Sequence, residues 1–169
     1  GVAPQASVIG PMAEVVFRST QYLSDADARA MAVYLQALPQ HAATPAKQAA
    51  APASVMERGA KVYEAQCAQC HGAQGQGAKD EAGQPAFPPL AGNRAVVLAD
   101  PTNLVRVVLQ GGYLPATAGN PRPHGMPPFQ HLLGDEDVAA VTTFVRNSWG
   151  NQAAGVGTIE VYRARERRS

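Results

Sequence analysis

Cys67-Ala68-Gln69-Cys70-His71 is the stretch on which the reading of this chain turns. Its two cysteines are the only ones among 169 residues, and a histidine follows them directly. A disulfide closing so short a loop would stabilise little. The order Cys-x-x-Cys-His is the haem attachment pattern. Two thiols add across the haem vinyl groups as thioethers, and the next side chain then lies against one haem face, where its imidazole can take the iron. Two other chemistries use paired cysteines. A thioredoxin-like redox pair wants a βαβ pattern around it, and none is visible. A zinc site wants further ligands at close spacing, and there is no second cysteine pair.

Working outward, Ser54-Val55-Met56-Glu57 reads as a capping box. It predicts a helix that begins near Val55, runs through Ala60, Val62 and Tyr63 to about Gln66, and delivers the cysteines at its end. After His71, Gly72, Gly75, Gly77 and Gly83 interrupt any apolar period and predict loop. Pro88-Pro89-Leu90-Ala91-Gly92 follows. A proline here, Pro89 in the first place, can brace the loop beneath His71 because its φ is fixed. An ordinary loop proline is an equal reading for Pro88. Asp100-Pro101 predicts a second helix, with aspartate as cap and proline at the first helical position. Leu104, Val107 and Val108 give it an apolar stripe, and Gly111-Gly112 end it.

From Tyr113 to Pro128 the chain is rich in proline and glycine and predicts no regular structure. Within it, Gly125-Met126-Pro127-Pro128-Phe129 places a soft, neutral thioether in a stiff loop. Met126 is the candidate second axial ligand, since His/Met ligation raises a haem potential; the alternative is a core filler. His124 competes for that role, whereas His131 and His41 read as surface histidines. The last helix of this unit is predicted from Asp135, with Glu136 and Asp137 in its first turn favouring the dipole. Val138, Val141 and Val145 form its stripe, widened by Phe144. It must cross the helix before the cysteines. Gly59 allows close approach there, with Tyr63 and Phe144 at the crossing and Trp149 closing the cluster, although each could equally be plain core or helix surface.

Composition narrows the classes. The apolar fraction of 46% suffices for a core, though alanine supplies much of it and buries little area. A formal net charge of +1 argues against nucleic-acid binding. No run of eighteen apolar residues predicts a membrane span, and no basic-then-apolar leader opens the chain. It begins Gly1-Val2-Ala3-Pro4-Gln5 without methionine, as a mature, cut or engineered chain would.

Several longer stretches carry a resemblance: Cys67 to Gly72, Phe87-Pro88-Pro89-Leu90-Ala91-Gly92-Asn93, Asp100-Pro101-Thr102-Asn103-Leu104, Gly111-Gly112-Tyr113, Gly125 to Phe129 and Arg146-Asn147-Ser148-Trp149-Gly150. Residues 54–152 resemble class I cytochromes c. More specifically, they are similar to the last domain of the three-haem cytochrome c subunits of membrane-bound bacterial dehydrogenases that oxidise alcohols, gluconate or polyols. The resemblance implies His71 as proximal and Met126 as distal ligand. It also implies a parent that accepts electrons from a dehydrogenase subunit and delivers them to ubiquinone or a terminal oxidase. Residues 153–169 depart from the family pattern, and nothing is carried over to that basic tail.

The first forty residues echo the last helix. Leu23-Ser24-Asp25-Ala26-Asp27-Ala28-Arg29-Ala30-Met31 matches Leu133-Gly134-Asp135-Glu136-Asp137-Val138-Ala139-Ala140-Val141 at Leu, Asp, Asp and Ala, and Tyr34 and Leu35 fall opposite Phe144 and Val145. Upstream of each lies a methionine after glycine, Gly10-Pro11-Met12 and Gly125-Met126. This is an internal repeat of half a domain. Residues 1–40 therefore read as the back end of a preceding haem domain, 41–53 as an Ala/Pro linker, semi-rigid and exposed, and 54–152 as one whole haem domain. The alternative is a native N-terminal helix packed on a single-haem protein. If the domain is severed, the face carrying Ala28, Met31, Ala32 and Leu35 must be covered, either by the chain's own haem domain or by a neighbouring molecule.

The expectation is an all-α, class I cytochrome c fold with an additional N-terminal helical segment. It holds one covalent haem c through Cys67, Cys70, His71, Pro89 and Met126, with His71 and Met126 on the iron. With both axial positions filled there is no open site for substrate, so the chain reads as an electron relay and not an enzyme. Thioether attachment suits the periplasm. An enzyme or gas-binding protein would need an open iron position. A free diffusible shuttle would favour a charged docking patch, and the sequence offers none beyond Arg163, Arg165, Arg167 and Arg168.

Overall fold

The computed structural model describes residues 2–3, 5–39, 50–81, 83 and 85–166. Most of the expected linker, with His41, and Arg167 and Arg168 lie outside the described residues. In chain order the elements are β1 (Val2–Ala3), β2 (Ala6–Ser7), α1 (Pro11–Arg18), a 3₁₀ turn (Thr20–Tyr22), α2 (Asp25–Ala37), α3 (Ala53–Gln66) and α4 (Ala68–His71). They continue with β3 (Ala78–Lys79), β4 (Pro85–Phe87), α5 (Thr102–Gln110), β5 (Gly112–Tyr113), β6 (Gly125–Met126), α6 (Asp135–Asn147) and α7 (Thr158–Glu166). The fold is mostly helical, as expected, and its strands are two or three residues long.

The largest helix–helix contact is the crossing of α3 and α6. Gly59 is buried there, and a Cβ built on it would lie 2.6 Å from Phe144 Cβ and 2.9 Å from the Ala140 carbonyl carbon. Only a residue without a side chain lets the two backbones meet so closely. Tyr63 packs on Phe144 and Trp149 with ring centroids 5.5 and 4.9 Å apart, and Phe144 meets Trp149 edge-on. Arg58 adds an exposed ion pair to Glu136 and Asp137 at the start of α6, where carboxylates already favour the helix dipole.

Helix starts depart from expectation by two residues in α3 and by one in α5. α3 begins at Ala53, and Ser54 makes no cap; the Pro52 carbonyl accepts from Val55 and Met56 N–H at 3.0 and 3.1 Å and sets the first turn. α5 begins at Thr102, whose N–H donates to Asp100 Oδ1 at 2.9 Å, so Pro101 is the capping position and not the first helical one. The most buried stripe of α5 is Val105 and Leu109, with Leu104, Val107 and Val108 half-buried. α5 is wedged against both α6 and α7, which turns its most enclosed face one residue from the predicted stripe.

α6 is buried on nearly every side, because the chain after Gln152 folds back over it. Thr143 Oγ1 accepts from Val156 N–H at 2.8 Å. Arg146, 1% exposed, donates to the carbonyls of Ala154, Val96 and Leu98 at 2.7, 2.7 and 2.9 Å. The basic tail is therefore a structural element through Glu166: Val161 and Ala164 on α7 join the core with Val105, Leu109, Phe129, Leu133 and Val138. A second cluster gathers Tyr63, Val96, Val141 and Val145, with Cys67 against it, and Val62 touches both clusters.

The N-terminal segment contrasts with this. α2 is capped as its sequence predicts, Ser24 Oγ accepting from Asp27 N–H at 3.1 Å. Yet neither α1 nor α2 buries a single residue. The expected cover of Ala28, Met31, Ala32 and Leu35 by the chain's own haem domain is absent; Met31 and Leu35 are 51% and 58% exposed. What ties the segment down is mainly polar. Arg94 N–H donates to Gln5 O at 2.8 Å, Asn93 Nδ2 to Ser7 Oγ at 3.2 Å, and Gln21 Nε2 to Ala116 O at 3.4 Å.

Candidate haem site

α3 ends by handing the chain to a single further turn. Cys67 N–H donates to Tyr63 O at 2.9 Å as the last bond of α3, and Cys67 O accepts from Cys70 and His71 N–H at 3.2 and 2.9 Å. Both thiols and the imidazole thus leave one short stretch of backbone. Gly72, with φ +78°, then turns the chain away, and its carbonyl accepts from Tyr63 Oη at 2.7 Å.

His71 is buried, and its Nδ1 lies 2.9 Å from Pro88 O. A carbonyl can only accept, so Nδ1 carries the hydrogen and Nε2 is left with its lone pair. Burial pushes the His71 pKa below its ordinary value, opposed by the Pro88 contact. A neutral imidazole with a fixed tautomer is the form that binds a metal. The proline acting on His71 is therefore Pro88, through its carbonyl, whereas the sequence favoured Pro89. Pro89 sits beside it, half-buried, its carbonyl accepting from Asn93 Nδ2 at 2.8 Å.

The loop that presents Pro88 is held from two sides. Leu90 and Ala91 N–H donate to Gly75 O at 2.7 and 2.9 Å. Asn151 uses its whole amide: Nδ2 donates to Leu90 O and Val145 O at 3.0 and 2.8 Å, and Oδ1 accepts from Gly92 N–H at 2.9 Å. Asn93 and Asn151 were missed in the sequence, because an asparagine in a loop reads as a turn former.

β6 pairs antiparallel with β5, Gly112 opposite Met126. This region was expected to hold no regular structure. The pairing depends on Gly111, φ +69°, where a Cβ would run into the Met126 carbonyl and lie 2.9 Å from Pro127 C. Phe129 and Gln130 N–H then donate to Val108 O and Leu109 O at 3.1 and 3.0 Å. Met126 is half-buried against the Val105–Leu109–Phe129 cluster. His124 is exposed, its ring tilted against Phe87 with centroids 4.7 Å apart, and His131 is exposed as expected. Of the two competing candidates, Met126 is the one whose side chain enters the core.

The donors present fit haem c. Burial, with Cys70 beside it, pushes the Cys67 thiol up to about 11. A redox pair of the thioredoxin type needs the opposite shift. Among the described residues no three His, Cys, Asp or Glu side chains come together as a metal cage, which disfavours zinc. Two thiols one turn apart, an imidazole with a free Nε2, and a half-buried thioether remain.

The pattern of the cytochrome c family matches residues 56–149. The chain is 39% identical over 166 residues to the cytochrome c subunit of a quinone alcohol dehydrogenase from Gluconobacter oxydans, covering 92% of this chain and 33% of that protein. It is 36% identical over 162 residues to the gluconate 2-dehydrogenase cytochrome c subunit of Pantoea cypripedii, covering 91% and 36%. To cytochrome c-552 of Thermus thermophilus it is 38% identical over 96 residues, covering 55% and 69%. The chain spans about a third of the length of the dehydrogenase subunits. A cysteine–histidine turn ordered around a fixed imidazole tautomer, and a family match that covers it from α3 to Trp149, make this chain a member of the cytochrome c family, whose proteins carry electrons on covalently held haem.

Proposed function

We propose that this chain passes single electrons through one haem c, joined to Cys67 and Cys70 and ligated by His71 and Met126. The observation that carries the reading is the 2.9 Å contact between His71 Nδ1 and Pro88 O, which leaves Nε2 as the only coordinating nitrogen of a buried, neutral ring. When bound, the haem supplies an iron that cycles between ferric and ferrous states. His71 would hold that iron through Nε2, with its Nδ1 hydrogen kept on the Pro88 carbonyl. Met126 offers a neutral sulfur that favours the ferrous state and raises the potential. Val62 and Leu104 pack with Cys67 against one core cluster, and Val62 and Met126 against the other.

The similarity to subunits of alcohol and gluconate dehydrogenases supports a relay from a dehydrogenase subunit to quinone or a terminal oxidase, on the periplasmic side. No described helix is long and apolar enough to cross a membrane. The N-terminal helices favour membership of a larger assembly over a free shuttle. α2 and α6 are both thirteen residues long and coincide end for end at the repeat offset, Asp25 with Asp135 and Ala37 with Asn147. Ala30 and Tyr34 then stand where Ala140 and Phe144 receive α3. This supports the reading of residues 1–40 as the back half of another haem domain, with Met12 its methionine. The test is haem and iron content with acid–acetone extraction. One haem per chain should resist extraction, and replacing Cys67 and Cys70 by alanine should release it. Haem colour that survives in the double variant, or two haems per chain, would overturn the reading.

A further inference from the structure

The chain after Gln152 has no part in the haem motif, yet α7 reaches the methionine loop. Arg165 directs its guanidinium fork into the turn between Met126 and α6. Nη1 donates to Gln130 O at 2.5 Å, Nη2 to Leu133 O at 2.7 Å, and Nε pairs with Asp135 Oδ1 at 2.6 Å. The Arg165 side chain is only 24% exposed. A planar fork in which each nitrogen has its own acceptor holds a backbone turn in one geometry. The same turn is tied on its other flank by Phe129 and Gln130 N–H to the end of α5. Below the fork, Val161 and Ala164 of α7 close the cluster on which Met126 rests. Pro127 and Pro128 are the only residues between Met126 and the anchored Phe129. They have fixed φ and little slack, so displacement of the turn is passed to Met126.

We infer that Arg165 is a positioning residue for the distal ligand: α7 clamps the 127–133 turn so that the Met126 sulfur stays at its place on the haem. This rests on the reading that Met126 is that ligand. Without the clamp the turn can open and the thioether leave transiently, exposing the sixth position to small external ligands. α7 would thus set how tightly the sixth position is kept shut.

The test uses the haem-loaded full chain with Arg165→Ala, Arg165→Lys and Met126→Ala. The readouts are the far-red methionine–iron band of the oxidised protein and the rate of imidazole binding to the ferric form, which is limited by departure of methionine. Arg165→Ala should keep its fold by circular dichroism, weaken the band and speed imidazole binding at least tenfold. Arg165→Lys, which keeps the charge and loses the fork, should fall between it and the parent. Met126→Ala separates the two readings. Loss of the band there establishes the ligand, and an imidazole rate in Arg165→Ala equal to the parent's then overturns the clamp alone. A band that survives Met126→Ala overturns both. A lowered melting temperature in Arg165→Ala with band and rate unchanged shows a purely structural arginine and overturns the proposal.

Discussion

Gly59→Ala puts one methyl group into the α3–α6 crossing, and the structure sets the size of the effect. The new carbon would sit 2.6 Å from Phe144 Cβ, 2.9 Å from Ala140 C and closer still to Ala140 O. None of these is the movable end of a flexible side chain, so the helices must part. Overpacking of this kind costs about 1–3 kcal/mol, and the backbone obstacle here argues for the upper end. Alanine returns about 1 kcal/mol through helix propensity. The net loss is about 2 kcal/mol, or about 4–8 °C in melting temperature for a chain of this length. Thermal melts of the haem-loaded protein measure it, with Gly119→Ala as control, since a Cβ there meets nothing within 4 Å. A Gly59→Ala protein that melts at or above the parent would refute the crossing as described.

Three further outcomes follow from the same geometry. Tyr63→Phe removes a buried hydroxyl whose pKa burial raises above its ordinary 10.0. A raised folded pKa gives stability that is complete below pH 10 and declines as pH rises beyond it, so the parent should lose stability in that range and the variant should show a shallower decline, read by melts at stepped pH; equal slopes would exclude Tyr63 as the cause. Arg146→Met strips donors from three carbonyls in an enclosed site and should cost about 3 kcal/mol by urea unfolding, where a loss under about 1 kcal/mol would contradict the burial. Deleting residues 1–45 should leave the haem spectrum unchanged and the potential nearly so, because among the described residues the segment is hydrogen-bonded to the proximal loop through Ser7 and Gln5 and supplies no candidate ligand; a large shift in potential would mean that it shapes the haem pocket.

How much was legible depended on whether the signal was local. The start and buried stripe of α6 could be read, because an acidic first turn and a valine period sit within thirteen residues. α2 was legible for the same reason. The start of α3 was misread by two residues because a proline carbonyl competed with a serine cap, a contest no pattern decides. The β5–β6 pair was missed because it joins residues far apart in the chain and depends on the backbone freedom of Gly111. α7 was read as a tail because Val161 and Ala164 are the only residues it buries, and they stand among charged neighbours. At the site, the cysteines, His71 and Met126 carry their chemistry in their side chains, so they could be proposed from sequence alone. Pro88 acts through its carbonyl, which every residue possesses. Asn93, Asn151 and Arg165 act on other backbone carbonyls, and their partners exist only once the loops have closed.

The central claim is that one haem c sits between His71 and Met126, and the visible spectrum of the oxidised protein tests it most directly. The account predicts a far-red methionine–iron band that vanishes in Met126→Ala and persists in His124→Ala, with carbon monoxide binding the reduced Met126→Ala protein and not the parent. A band absent from the parent, or one lost with His124 and kept without Met126, would contradict it.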